Sequence, residues 1–101
     1  MFVILTSKPG QFRTEIVDGI TPVEAWDYHF AGARRARFVI ADLAGETKVR
    51  VIDEAPPPMV NLVPTKFLPK FETVEAARAE LAHLTRFGGA DTALRPAPLQ
   101  A

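Results

Sequence analysis

Cysteine is missing from all 101 residues of the chain, and that absence removes more chemistry than any motif here supplies. Thiolates are the usual ligands of iron–sulfur clusters and structural zinc and the atoms of disulfides, so all three are excluded. Histidine is nearly as scarce: His29 and His83 are the two present, and no HxH, HxxxH or HExxH spacing exists. Carboxylates such as Asp27, Asp42, Asp53 or Glu54 would have to complete any metal site, so neither a metal nor a cofactor is expected. An excess of one charge is absent too, since twelve Lys and Arg face twelve Asp and Glu for a formal net charge of zero. A generic phosphate binder gains affinity by neutralising phosphates with surplus cations, so nucleic acid is not an expected partner. Long apolar runs are also lacking. The opening Met1-Phe2-Val3-Ile4-Leu5 has no preceding positive charge and passes at once into Thr6, Ser7 and Lys8, whereas a membrane span needs roughly 18 apolar residues. No secretory signal and no membrane contact are expected, and the cytoplasm is the expected location.

What is present suffices for a core. The chain is 48% hydrophobic and 24% charged with seven Phe, a composition that folds rather than one that stays disordered. A single α+β domain over residues 1–89 is expected, because a second core would not fit this length. Past Gly89, the small and proline-bearing residues 90–101 read as a flexible tail.

Nine prolines and six glycines punctuate the chain. Phe2 to Thr6 reads as a buried strand closed by Lys8-Pro9-Gly10, and Phe12 to Asp18 as the return arm of a hairpin. Thr21-Pro22-Val23-Glu24 has the form of a helix capping box with proline at the first helical position. Against it, Trp26, Tyr28 and Phe30 recur every second residue, which suits a half-buried strand; both readings of residues 21–30 stay open, with strand favoured. Ala36 to Leu43 is the clearest strand, and Ala44-Gly45-Glu46-Thr47 turns it into a predicted hairpin with Lys48 to Asp53. Pro56-Pro57-Pro58 ends that pairing. Met59 to Val63 forms a further short strand, and Thr65 to Phe71 an irregular segment over the core. Thr73 as N-cap, with Val74, Ala77, Leu81 and Leu84 at helical spacing, predicts a helix over 74–87 capped by Gly88. The expected architecture is therefore α+β: a small, mostly antiparallel sheet of about five short strands with one C-terminal helix packed on a face.

Two constellations could carry chemistry. Asp27 and His29 would share one face of a strand about 7 Å apart, the basis of an oriented general base, but no Ser or Cys nucleophile in a recognisable motif accompanies them. They are weak catalytic candidates, and an enzyme is not the favoured reading. Arg34, Arg35 and Arg37 form the one dense basic cluster, near Trp26 and Tyr28. Arg, Trp and Tyr are the residues that interfaces concentrate, so these five are the candidate partner- or ligand-binding residues.

One physical expectation governs the functional reading. Val39 and Val49 on one side and Phe38, Ile40 and Ile52 on the other leave the predicted central hairpin apolar on both faces, more than one helix covers. A protein neighbour is then expected. The chain reads as a small non-catalytic accessory or interaction protein, a homo-oligomer or a subunit of a larger bacterial-type assembly. The alternative is a small-molecule-binding protein or cofactor-free enzyme acting on an anionic or aromatic ligand.

Overall fold

The first strand, β1 (Phe2–Ser7), shows why the chain needs covering on both sides. Val3 and Leu5 point to one apolar cluster and Phe2 and Ile4 to another, the consequence of alternating side chains along a pleated strand with no polar face. In the computed structural model, which describes residues 1–86 and 91–99, β1 pairs antiparallel with β4 (Ala33–Leu43), β4 with β3 (Ile20–Phe30), and β3 with β7 (Thr92–Ala97). This larger sheet has the order β1-β4-β3-β7. A smaller antiparallel sheet, β2-β5-β6, is built from β2 (Phe12–Glu15), β5 (Lys48–Asp53) and β6 (Val60–Pro64). The helix α1 spans Val74–Thr85. The fold is thus mostly antiparallel sheet with a helix, as expected, but the described residues form seven strands in two sheets where about five strands in one were expected.

The layers follow from the two clusters. Val3, Leu5, Ile20, Ala41, Leu43 and Val49 fill the space between the sheets. Ile40, Ala77 and Leu81 are fully buried where α1 packs on the opposite face of the larger sheet. β4 serves both: Val39, Ala41 and Leu43 face the smaller sheet, and Phe38 and Ile40 face the helix. The expected β4–β5 hairpin does not form. Residues 44–47 carry the chain from one sheet to the other, so β5 stacks over β4 instead of pairing beside it. The expected β1–β2 hairpin fails in the same way, with Lys8↔Phe12 as an isolated bridge at the crossing. Ile40 and Ile52 are buried, and Phe38 half-buried, by the chain itself. The larger sheet therefore needs no outside neighbour.

Residues 21–30 are strand. The proline inside β3 is tolerated for a geometric reason: Ala44 donates its N–H to the Gly19 carbonyl, and by alternation Pro22 turns its nitrogen away from β4. That side is open, because β7 begins pairing only at Ala25. A register shift between Pro22 and Glu24 then realigns the strand. Phe30 and Ala33 close a two-residue hairpin over Ala31 and Gly32, whose φ values of 52° and 80° are both left-handed, the geometry that suits twisted strands. Glu24, expected to cap a helix, instead accepts from the Trp26 indole (2.9 Å) and from both arms of the Arg78 guanidinium (2.6 Å each), tying β3 to α1.

The helix itself matches its prediction closely. Thr73 Oγ1 accepts the Ala76 N–H at 3.0 Å, and Arg86 is the C-cap; the expected cap at Gly88 lies outside the described residues. Leu84, expected on the buried face, is exposed. Thr92–Ala97, within the stretch expected to be a loose tail, pair along β3 from Ala25 to Phe30, and Leu94 packs into the helix-side cluster. Leu94 is the docking face that the tail's composition conceals. After β6, Thr65–Phe67 form a 3-10 turn. Thr65 is fully buried there, and its hydroxyl oxygen accepts the Thr47 N–H at 2.9 Å. Among the described residues no helix is long and apolar enough to cross a membrane.

Candidate functional site

The five binding candidates do not form one surface. Trp26 and Tyr28 lie on the helix side of the larger sheet, where Trp26 packs into the cluster around Ile40 and Leu81. Asp27 and Arg37 are register partners on the opposite side. There Arg37 donates Nε and Nη2 to the two Asp27 oxygens at 2.8 and 3.0 Å, and Arg34 stands 3.9 Å from the same carboxylate. Arg35, skipped by the register shift between Tyr28 and His29, turns back to the helix side. It lines a cleft of ≈ 330 Å³ with Lys8, Tyr28, Phe38 and Leu84. The five are therefore split between two concavities, Tyr28 with Arg35 on the helix side and Arg34 with Arg37 on the other.

Asp27 and His29 share a strand face, as expected of β3, but the pair is not set up for proton transfer. The Arg37 hydrogen bonds hold the Asp27 carboxyl below its ordinary range, against the opposing effect of burial, with the charges of Arg37 and Arg34 adding to the lowering. With both oxygens committed, Asp27 acts as an anchor between β3 and β4. The His29 Nδ1 is buried with no hydrogen-bond partner. Glu24 is likewise held low, first by the Arg78 hydrogen bonds and further by the Trp26 indole. Among the described residues no three His, Asp or Glu converge as a metal site would require.

Two features escaped the sequence. The first is a cleft of ≈ 440 Å³ where the two sheets part, lined by Ser7, Phe12, Arg13, Thr14, Arg34 and Arg37 among others. Ser7 Oγ accepts the Thr14 N–H (2.9 Å) and Thr14 Oγ1 donates to the Thr6 carbonyl (2.5 Å), which stitches the sheets at its floor. Arg13 contributes a guanidinium with no carboxylate partner among the described residues. Only the fold brings Arg13 of one sheet beside Arg34 and Arg37 of the other.

The second feature is the free edge of β6. Asp53 N–H bonds to the Met59 carbonyl and Thr65 N–H to the Thr47 carbonyl. By the alternation of an antiparallel ladder, Met59, Asn61, Val63 and Thr65 direct their backbone groups to β5, while Val60, Leu62 and Pro64 direct theirs outward. The outward N–H groups of Val60 and Leu62 have no acceptor among the described residues. Their side chains share one face and are 50% and 59% exposed, flanked by Met59 at 57% and Phe67 at 71%. A signal existed in the uncharged Met59-Val60-Asn61-Leu62-Val63, but a strand's place in its sheet is not written in its own residues. The chain matches no family model, no curated protein and no solved structure.

Proposed function

We propose that the chain is a small non-catalytic interaction protein that works within an assembly, of its own copies or as a subunit of a larger complex, and that it docks by strand addition along β6. The observation that carries this reading is the pair of unpaired outward N–H groups on Val60 and Leu62 beneath exposed apolar side chains. An uncharged, apolar edge with free donors is a template for another strand. Main-chain bonds would supply affinity there, and the Val60, Leu62 and Phe67 side chains selectivity. The Asp27 carboxylate, half of the pair that argued for catalysis, is tied down by Arg37, which favours the non-catalytic reading.

The test is capture by the tagged chain, from host extract and from cells coexpressing a second, differently tagged copy. Wild type retains a partner, and Leu62→Lys loses it with an unchanged thermal midpoint. A Leu62→Lys chain that captures the same partner as wild type ends the reading. Loss on Arg35→Glu alone would move the docking surface to the Tyr28 cleft.

Arg13 favours one second reading, a small anionic ligand, aromatic or not, seated in the cleft between the sheets beside Arg34 and Ser7. Guanidinium forks and hydroxyls suit a carboxylate or phosphate. Titration with benzoate and with inorganic phosphate is expected to shift the Arg13 and Ser7 resonances. Spectra unchanged at millimolar ligand dispose of this reading.

A further inference from the structure

We infer that the strand that completes β6 is β6 of a second copy, paired antiparallel about a two-fold axis at Asn61. The inference rests on the proposed docking along β6 and names its occupant. Three observations select it.

The first is how the other edges are protected. On β2 the outward groups are satisfied, Phe12 N–H by the Lys8 carbonyl and Thr14 N–H by Ser7 Oγ. On β1, Phe2 exchanges both backbone bonds with Phe71, the Thr6 carbonyl takes the Thr14 hydroxyl, and Ile4, whose outward N–H has no acceptor among the described residues, packs its side chain into the helix-side cluster. On β7, Pro96 removes a donor, Arg95 brings a charge, and the Leu94 side chain is drawn under the helix. β6 carries neither charge nor cover, so a second copy meets no like-charge repulsion there.

The second is register. Centred on Asn61, the pairing sets Val60 against Leu62 of the second copy. The Val60 N–H then donates to that Leu62 carbonyl and the Leu62 N–H to that Val60 carbonyl, reciprocally in both copies. Every outward donor of β6 is used, and Pro64 falls opposite Pro58 of the second copy, where neither residue has an N–H to lose. Shifting the axis to Leu62 would set the Pro64 ring against a Val60 carbonyl that needs a donor. The third is side-chain self-complementarity. Val60 and Leu62 share a face and stack on their counterparts, and the two Asn61 amides, each donor and acceptor, face one another across the axis. A two-fold pairing also closes the assembly, consuming both free edges in a β2-β5-β6-β6-β5-β2 sheet.

A five-residue edge with its flanks falls short of the ~800 Å² per partner of a standard interface, so dissociation in the range of about 1–100 μM is expected. The absence of native cysteine permits a direct test. At a non-hydrogen-bonded antiparallel pair the Cα atoms are about 4.5 Å apart, within disulfide range. Asn61→Cys is expected to cross-link quickly under mild oxidation, and Gln11→Cys, on an exposed turn away from the edge, to cross-link slowly. Light scattering over concentration is expected to show a monomer–dimer equilibrium for wild type and monomer for Val60→Lys/Leu62→Lys. A wild-type chain still monomeric at about 1 mM, a dimer that survives the double lysine variant, or Asn61→Cys cross-linking no faster than Gln11→Cys each overturns self-pairing. Strand addition by a different protein is untouched by those outcomes and answers to the capture experiment above.

Discussion

The larger sheet and the smaller sheet are made of similar strands, yet one is closed and the other is open. The larger is covered on one face by α1 and on the other by β2-β5-β6, its edge strand β1 is bridged by Phe71, and its edge strand β7 carries Pro96 and Arg95. The smaller has one face on the core and one edge satisfied through Lys8 and Ser7, while its outer face and its β6 edge meet solvent. Apolar residues alone do not make an interface. What distinguishes β6 is that exposed apolar side chains and unpaired backbone donors coincide there, so burying the first satisfies the second.

Substitutions should reveal that asymmetry. Ile40 is fully buried between the larger sheet and α1, and Ile40→Ala is expected to cost about 2–5 kcal/mol in denaturant unfolding. An effect as small as that of an exposed residue would mean the helix layer is loosely held. Asp27→Asn, which removes the charge between β3 and β4, is expected to cost about 1–2 kcal/mol. Because Asp27 and Glu24 are both held below their ordinary values, their stabilisation is complete above the unfolded carboxylate range and drains away as pH falls through the lowered folded values. Thermal midpoints should therefore drop on the acid side of about pH 4, less steeply in Asp27→Asn. Thr14→Val removes the hydroxyl that ties β2 to β1 and is expected to cost about 1 kcal/mol. Ala31→Asn, at a left-handed position of the β3–β4 turn, is expected to gain about 0.5–1 kcal/mol by differential scanning calorimetry. Leu62→Lys should leave the isolated fold within about 0.5 kcal/mol of wild type. A large loss there would show that β6 supports its own sheet and is not a docking edge.

Much of this fold was legible locally and little of it globally. The alternation of Val49 and Val51, the apolar run of β1, and Thr73 with Ala77 and Leu81 each fixed an element. None of them states what lies against it. The two-sided apolar pattern of β4 implies a cover on each face without saying whose, and the chain supplies both, the smaller sheet on one and α1 on the other. Thr21-Pro22-Val23-Glu24 imitated a helix start because capping boxes are local chemistry, while Pro22 in a strand is permitted only by the place where β7 stops. Trp26 and Arg37 looked like one surface because they are close in sequence, and strand alternation placed them on opposite sides of the sheet. Of the candidate site, the Tyr28–Arg35 approach could be suspected from sequence; Arg13 and the β6 edge required the topology.

The order of strands also sets the order in which the chain can assemble. Within the larger sheet, β3 and β4 alone are sequence neighbours, joined by two residues, so their ribbon is cheap in loop entropy and is ready to form early. Its two flanks are distant in sequence: β1 waits more than twenty residues for β4, and β3 waits more than sixty for β7. A ribosome emitting this protein must hold an unpaired Phe-Val-Ile-Leu segment until residue 42 emerges, and the outer side of β3 stays raw until Thr92–Ala97 follow.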